Sequence, residues 1–158
     1  MPRGQTPLMR IAAAQARERF LAARVARLAT ADASGVPHLV PVTFVCIADR
    51  DQDMLAFAVD HKPKSTTRLR RLANIAANPS VCFLVDEYDD DWTRLWWVRA
   101  DGWARVLDGA MRERALAALR DRYDQYRERV PAGPVVGARV TRWSGWRAAT
   151  GISPSGSS

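Results

Sequence analysis

Two cysteines and two histidines are all the thiolate and imidazole metal ligands that the 158 residues contain. Cys46 and Cys82 each sit inside an apolar run, TFVCIA and SVCFLV, and His38 and His61 are not spaced as a metal pair. A structural zinc site, which needs clustered Cys and His, is therefore excluded, and the thiols read as buried and reduced. No stretch approaches the roughly 20 apolar residues of a membrane-spanning helix. The start MPRGQTPLMRIAAAQ lacks a long apolar centre before charge resumes at Arg17, so it does not read as a secretory leader, and the expectation is a cytoplasmic protein. Also missing are a P-loop, a nucleophile elbow and a Ser-His-Asp set. A chain this short of reactive side chains points to chemistry borrowed from a bound cofactor, for which the protein supplies orientation and electrostatics.

What is present is an ordinary globular composition, 47% hydrophobic and 26% charged, long enough to bury a core without staples. One domain over 1–158 is expected, with its core over about 9–149 and loose ends outside it. The formal net charge of +7 favours anionic partners and says nothing of fold.

Helical spacing of Met9, Ala12, Ala13, Ala16, Phe20 and Ala23 predicts a helix over 9–23. Apolar runs over 25–31, 36–48 and 54–59, separated by the turns DASG and ADRDQD, predict three strands in a meander. Pro37 and Pro41 fit an edge strand or a bulge. A helix over about 65–77 follows, with Leu69, Leu72, Ala73 and Ala76 as its buried stripe and Arg68, Arg71 and Ile75 on another face; Asn78-Pro79 stops it. SVCFLVDE reads as a fourth strand. LWWVRADGWARVL reads as a long fifth strand, in which Gly102 marks a bulge or a close backbone approach. An amphipathic helix over 110–127 turns Met111, Ala115, Leu119 and Tyr126 inward, and VVGARVTRWSGW is a sixth strand. Strands that mostly follow one another directly, with helices inserted between them, predict an antiparallel sheet closed or nearly closed into a small barrel.

The stretch DHKPKSTTRLRR, residues 60–71, concentrates two lysines and three arginines. It contains no aromatic that could stack on a base, which argues against a nucleic-acid surface. Lys62 and Lys64 flank the stiffening Pro63, and Ser65, Thr66 and Thr67 offer hydroxyls where a helix begins. Its free backbone N–H groups and dipole favour an anion, and Arg68 can reach back as a fork. The alternatives are a phosphate cage or a capped, solvated helix start. His61 adjoins this run; His38 reads as an ordinary strand side chain.

The segments RLATADASGVPHLVPVTFVC, KPKSTTRLRRLANIAANPSVCFLVD and VRADGWARVL, in that order, resemble the split β-barrel flavin and deazaflavin proteins. This is the pyridoxamine 5′-phosphate oxidase-like group, and within it the branch of F420-dependent oxidoreductases of actinobacteria. The likeness runs from about Arg24 to Trp146. The Lys-Pro-Lys run, the LRRLxNIxxNP helix and the DGxA strand carry it together. It implies a mainly β fold, a six-stranded antiparallel split barrel, forming a homodimer with cofactor sites at the subunit interface. It implies that Lys62 and Lys64 hold the cofactor phosphate, supported by Ser65, Thr67 and Arg68. Pro41, Val42 and Thr43 would run along the tricyclic ring, partly through backbone groups, with Trp143 and Trp146 near the ring or substrate. The implied cofactor is coenzyme F420, with FMN as the alternative. The longer acidic tail of F420 suits a basic chain, and Arg70 or Arg71 would reach it. The implied activity is hydride transfer to a small electron-poor substrate, quinone-like, conjugated or tetrapyrrole. No nucleic-acid partner is implied. A non-catalytic cofactor- or tetrapyrrole-binding role is the reading from a different class.

Overall fold

The structure, a computed structural model, describes residues 7–59 and 66–149. Its order is β1 (Leu8–Arg10), α1 (Ala13–Ala22), β2 (Ala26–Ala31), β3 (Pro37–Val42), β4 (Val45–Asp49), β5 (Gln52–Ala58), α2 (Thr66–Ala77), β6 (Ser80–Glu87), β7 (Trp96–Val106), α3 (Gly109–Arg122), α4 (Asp124–Glu128) and β8 (Val135–Ala148). The chain is mainly β and wholly antiparallel in its pairings, with the split-barrel layout that the resemblance implies. The hydrogen-bonded path runs β3-β2-β6-β7-β8-β5-β4, and β1 adds to β8. The two ends of that path, β3 and β4, are joined covalently through Thr43 and Phe44. The wall therefore curls back on itself at a corner of chain rather than along a ladder.

Alternation builds the interior. Ala26, Leu28 and Thr30 on β2, Val81, Phe83 and Val85 on β6, and Val98, Ala100 and Ala104 on β7 are buried, every second residue, as a two-residue period requires. Phe20, one turn after Ala16 on α1, plugs one end of the barrel. Its ring centroid lies 5.0 Å from that of Phe44 and 6.4 Å from that of Phe83. A second cluster forms beneath α3, where Ala115, Leu116, Leu119 and Tyr123 pack on Val45, Met54, Ala56 and Val135.

The structure holds eight strands where six are expected. One addition is β1, which overlaps the start of the stretch expected as helix 9–23. Leu8, Met9 and Arg10 pair antiparallel with Ala148, Arg147 and Trp146, while all three side chains are exposed. Backbone pairing without buried side chains leaves no hydrophobic period to read. The other arises because the expected strand 36–48 breaks. Val42, Phe44 and Val45 are all buried, which a straight pleat cannot achieve, so the chain turns the corner between them.

The expected buried stripe of α2 is also corrected. Ala73 and Ala76 are exposed, Leu72 is half-buried, and Asn74 and Ile75 face the barrel; Leu69 has no described side chain. The amide of Asn74 donates to the buried Thr30 hydroxyl at 3.1 Å, a contact that a ranking by hydropathy passes over. The helix expected over 110–127 is broken at Tyr123, which is extended. That conformation brings its hydroxyl to the backbone of Phe44. Two smaller expectations hold. β3, which carries Pro37 and Pro41, ends the sheet path, and the β7–β8 register slips at Asp101/Gly102. There a Cβ on Gly102 would stand 2.5 Å from the Arg139 carbonyl oxygen.

Candidate functional site

Lys62, Lys64 and Ser65, with His61, lie outside the described residues. The backbone of α2 places Thr67 and Arg68 on its first turn. The last residue of β5 before this segment, Ala58, pairs with Val135 at the start of β8.

Pro41, Val42 and Thr43 occupy the end of β3 and the corner after it. Pro41 is exposed and opposite Arg27. Val42 is buried in the barrel. The Thr43 hydroxyl is paired with that of Tyr126 at 2.9 Å. Beyond it, the Phe44 carbonyl accepts from Arg122 Nη1 at 2.9 Å, and the Phe44 N–H donates to the Tyr123 hydroxyl at 3.2 Å.

Trp143 and Trp146 are three apart on β8 and serve different places. Trp143 is half-buried against the core, with its ring centroid 5.3 Å from that of Phe20. Its Nε1 donates to Asp53 Oδ2 at 3.1 Å. Asp53 also receives Arg17 Nε at 2.7 Å and Nη2 at 3.0 Å, and the Arg17 bonds hold its carboxyl below the usual range, with Trp143 adding to the effect. Cys46 lies 3.6 Å from the same carboxylate. Burial first, and then the Asp53 charge, push that thiol up to about 11. The group ties α1, β4, β5 and β8 together, and its thiol is kept protonated.

Trp146 instead lines a groove of about 480 Å³ on the outer face of the barrel. Trp96 and Trp97 from the start of β7, Leu84 and Tyr88 from the region of β6, and Leu8 complete most of its wall. Trp97 sits directly opposite Trp146 across the β7–β8 ladder. The rim carries charge of both signs. Asp86 pairs with Arg27 at 3.1 Å, Glu87 accepts from Trp96 Nε1 at 3.1 Å, and Arg10 lies 5.3 Å from the centre of the Trp146 ring. Arg99 Nε comes within 3.4 Å of Asp101 without hydrogen-bond alignment, so this buried nitrogen has no partner among the described residues. Three indoles and the Arg99 guanidinium, which lies beside Asp101 and 5.8 Å from the Trp97 ring centre, on a mostly apolar concave wall suit a flat, polarizable ligand.

Parity along β7 places Trp97 and Trp103 on one face, and so it proves, with Trp103 half exposed. Trp96 nonetheless joins the groove from the first residue of the strand, where the pleat has barely begun. Leu84, Tyr88 and Leu8 are absent from the sequence expectation because they come from strands whose registers only the assembled sheet sets.

Among the described residues, no helix is long and apolar enough to cross a membrane, and no group of three or more acidic, His or Cys side chains could hold a metal ion. A model of the family described as pyridoxamine 5′-phosphate oxidase matches residues 12–147. No curated protein sequence matches significantly. Among solved structures, an FAD-binding protein from Mesorhizobium loti is similar at 22% identity and a TM-score of 0.66, over 91% of this chain and 98% of that one. A conserved protein of unknown function from Corynebacterium diphtheriae reaches 20% and 0.66, over 90% and 99%. A heme storage protein from Vibrio cholerae reaches 15% and 0.55, over 89% and 93%. At these identities the likeness is one of fold.

Proposed function

This chain belongs to the pyridoxamine 5′-phosphate oxidase family, and we propose that it is a redox enzyme binding the deazaflavin F420 and passing a hydride to a small electron-poor substrate. The observation that carries the reading is the tryptophan groove, whose volume and apolar wall fit a tricyclic ring. The likeness in fold to proteins that hold FAD and heme supports a large flat ligand on this barrel.

The phosphate is assigned elsewhere, to Lys62 and Lys64 with the first turn of α2, because Asp86 and Glu87 at the groove rim would repel it. The two places are separated along β8. Ala58, at the end of β5, pairs with Val135, and Trp146 stands eleven residues further along β8, on the order of 35 Å of strand. A homodimer that sets the groove of one protomer against the phosphate loop of the other would complete the site, and this is the assembly we propose. In it the lysines neutralise the phosphate, the N–H groups of α2 orient it, and the indoles exclude water from the ring. Reduced F420 supplies the hydride when bound, so no side chain need act as a nucleophile. The substrate is quinone-like, conjugated or a tetrapyrrole, and the protein works in the cytoplasm.

F420 is preferred over FMN because its acidic tail suits a net charge of +7. Titration of cofactor-free protein with each, followed by absorbance and fluorescence, tests the choice. Tighter binding of F420 is expected, with turnover of a quinone or nitroaromatic by reduced F420. Equal affinity, or a preference for FMN, overturns F420. Binding of neither overturns the reading, as does an unchanged affinity in the Lys62→Ala/Lys64→Ala double variant for the loop. Sedimentation as a monomer with full cofactor affinity removes the shared site.

A further inference from the structure

A second, smaller cavity of about 100 Å³ lies between α2 and the β2–β3 turn, lined by Asp32, Val36, Pro37, His38, Arg70 and Asn74. It is separate in its lining from the tryptophan groove. Local structure sets each wall. His38 on β3 stands opposite Thr30 on β2, and the Thr30 hydroxyl is occupied by the Asn74 amide. Asp32 closes the turn, with its Oδ1 accepting from the Ser34 N–H at 2.8 Å and the Val36 N–H at 2.9 Å. Arg70 reaches the cavity from the exposed face of α2, one residue before the half-buried Arg71.

One side chain lining the cavity, and one beside it on α2 that does not line it, each carry a polar atom that lacks what buried polar atoms normally have. His38 Nδ1 is shielded from solvent and has no hydrogen-bond partner among the described residues, and the same holds of Arg71 Nε. Such groups are costly to leave unpaired. The charges that face His38 are Arg70 and Arg71 from α2 and Asp32 from the turn. Two guanidinium groups thus oppose one carboxylate that is already engaged by backbone amides. Burial first, and then Arg70 and Arg71, lower the imidazole pKa, so the ring is neutral near pH 7.

We propose that this cavity is a binding site for one small oxyanion, a carboxylate or phosphate group, held between the Arg70 guanidinium and His38 Nδ1. An oxyanion accepts from both groups at once, and a guanidinium presents paired donors suited to it. It also offsets the surplus positive charge beside the imidazole. The volume takes a single such group, free or at the end of a longer ligand, and excludes a tricyclic ring. Asp32 at the wall penalises a second negative charge, which favours a carboxylate over a phosphate dianion. The site does not depend on which redox cofactor the barrel binds.

The chain has two histidines, so imidazole NMR resolves the question. His38 reports on the cavity, and His61, next to Lys62, reports separately on the phosphate loop. Acetate and inorganic phosphate are titrated in turn at constant ionic strength. The expected result is a saturable shift of the His38 ring signals in the millimolar range, with a rise in its pKa as the anion favours the protonated ring, and acetate binding the tighter. Arg70→Gln, at an exposed position, should weaken this by about tenfold or more. A His38 signal that neither anion moves, or that moves equally in Arg70→Gln, overturns the proposal. Movement of His61 alone assigns anion binding to the loop and removes it from the cavity.

Discussion

Arg122 Nη1 donates to the Phe44 carbonyl at 2.9 Å while its guanidinium carbon lies 4.8 Å from the centre of the Phe44 ring. Its Nη2 reaches the carbonyls of Leu21 and Ala23. One cation from α3 thus holds the corner between β3 and β4 and the end of α1. Arg122→Met should destabilise the fold by about 2–4 kcal/mol, since hydrogen bonds to a charged donor are worth about 1.5–3 kcal/mol each and the carbonyls left behind are partly shielded. Urea unfolding should show a lower midpoint; an unchanged midpoint would refute the clamp.

Gly102→Ala should be costly although alanine favours most backbones. The added methyl would meet the Arg139 carbonyl at 2.5 Å, and backbone on the facing strand cannot swing aside. The expected loss is about 1–3 kcal/mol, read as a fall in Tm. A neutral outcome would mean that the bulge at Asp101/Gly102 relaxes freely.

Both thiols should be unreactive in the folded protein. Cys46 is pushed up to about 11, and burial also raises Cys82, so little thiolate exists at pH 8. A disulfide reagent should count two thiols only after denaturation. Rapid labelling of Cys46 in the native state would contradict its shielding.

Asp53 ties acid stability to Arg17 and Trp143. Its folded pKa lies below the ordinary carboxylate value near 3.9. The unfolded chain therefore takes up the proton first as pH falls. The stabilisation is present above that value and is lost as pH drops through the lower folded one. Asp53→Asn should flatten the stability profile below about pH 4. At neutral pH it should cost only about 1 kcal/mol, since Arg17 is largely exposed. An unaltered acid limb would show that other carboxylates set it.

Trp146→Ala should lower cofactor affinity about tenfold or more, as loss of an aromatic stacking wall does, with far-UV circular dichroism unchanged. Trp143→Phe should act the other way round. It removes the bond to Asp53 and one core contact, and so lowers stability more than affinity. The reverse pattern would exchange the roles of the two indoles.

Much of the barrel is legible in the residues because half-buried strands carry their period openly. β2, β6 and β7 alternate buried and outward-facing residues, and Gly102 marks the bulge. What escapes has physical causes. Leu8–Arg10 join the sheet by backbone alone. The break at Thr43 and Phe44 is visible only once three of four consecutive side chains are found buried. Asn74 turns inward for a partner forty-four residues away. The groove is half visible: the resemblance points to Trp146, whereas Leu84 and Tyr88 reach it only through the pairing of β6 with β7. Trp143 looks alike in sequence but is recruited by Asp53, a residue without any motif.

The corner at Thr43 and Phe44 has a mechanical consequence. A cylinder fastened on one side by two residues of chain, instead of by a row of interstrand bonds, has a slit. Thermal breathing should start there, with deuterium entering the facing margins of β3 and β4 well before it reaches β8, which is paired with β7 along most of its length. The protein would then yield as a clasp does, at its fastening, while its spine stays intact.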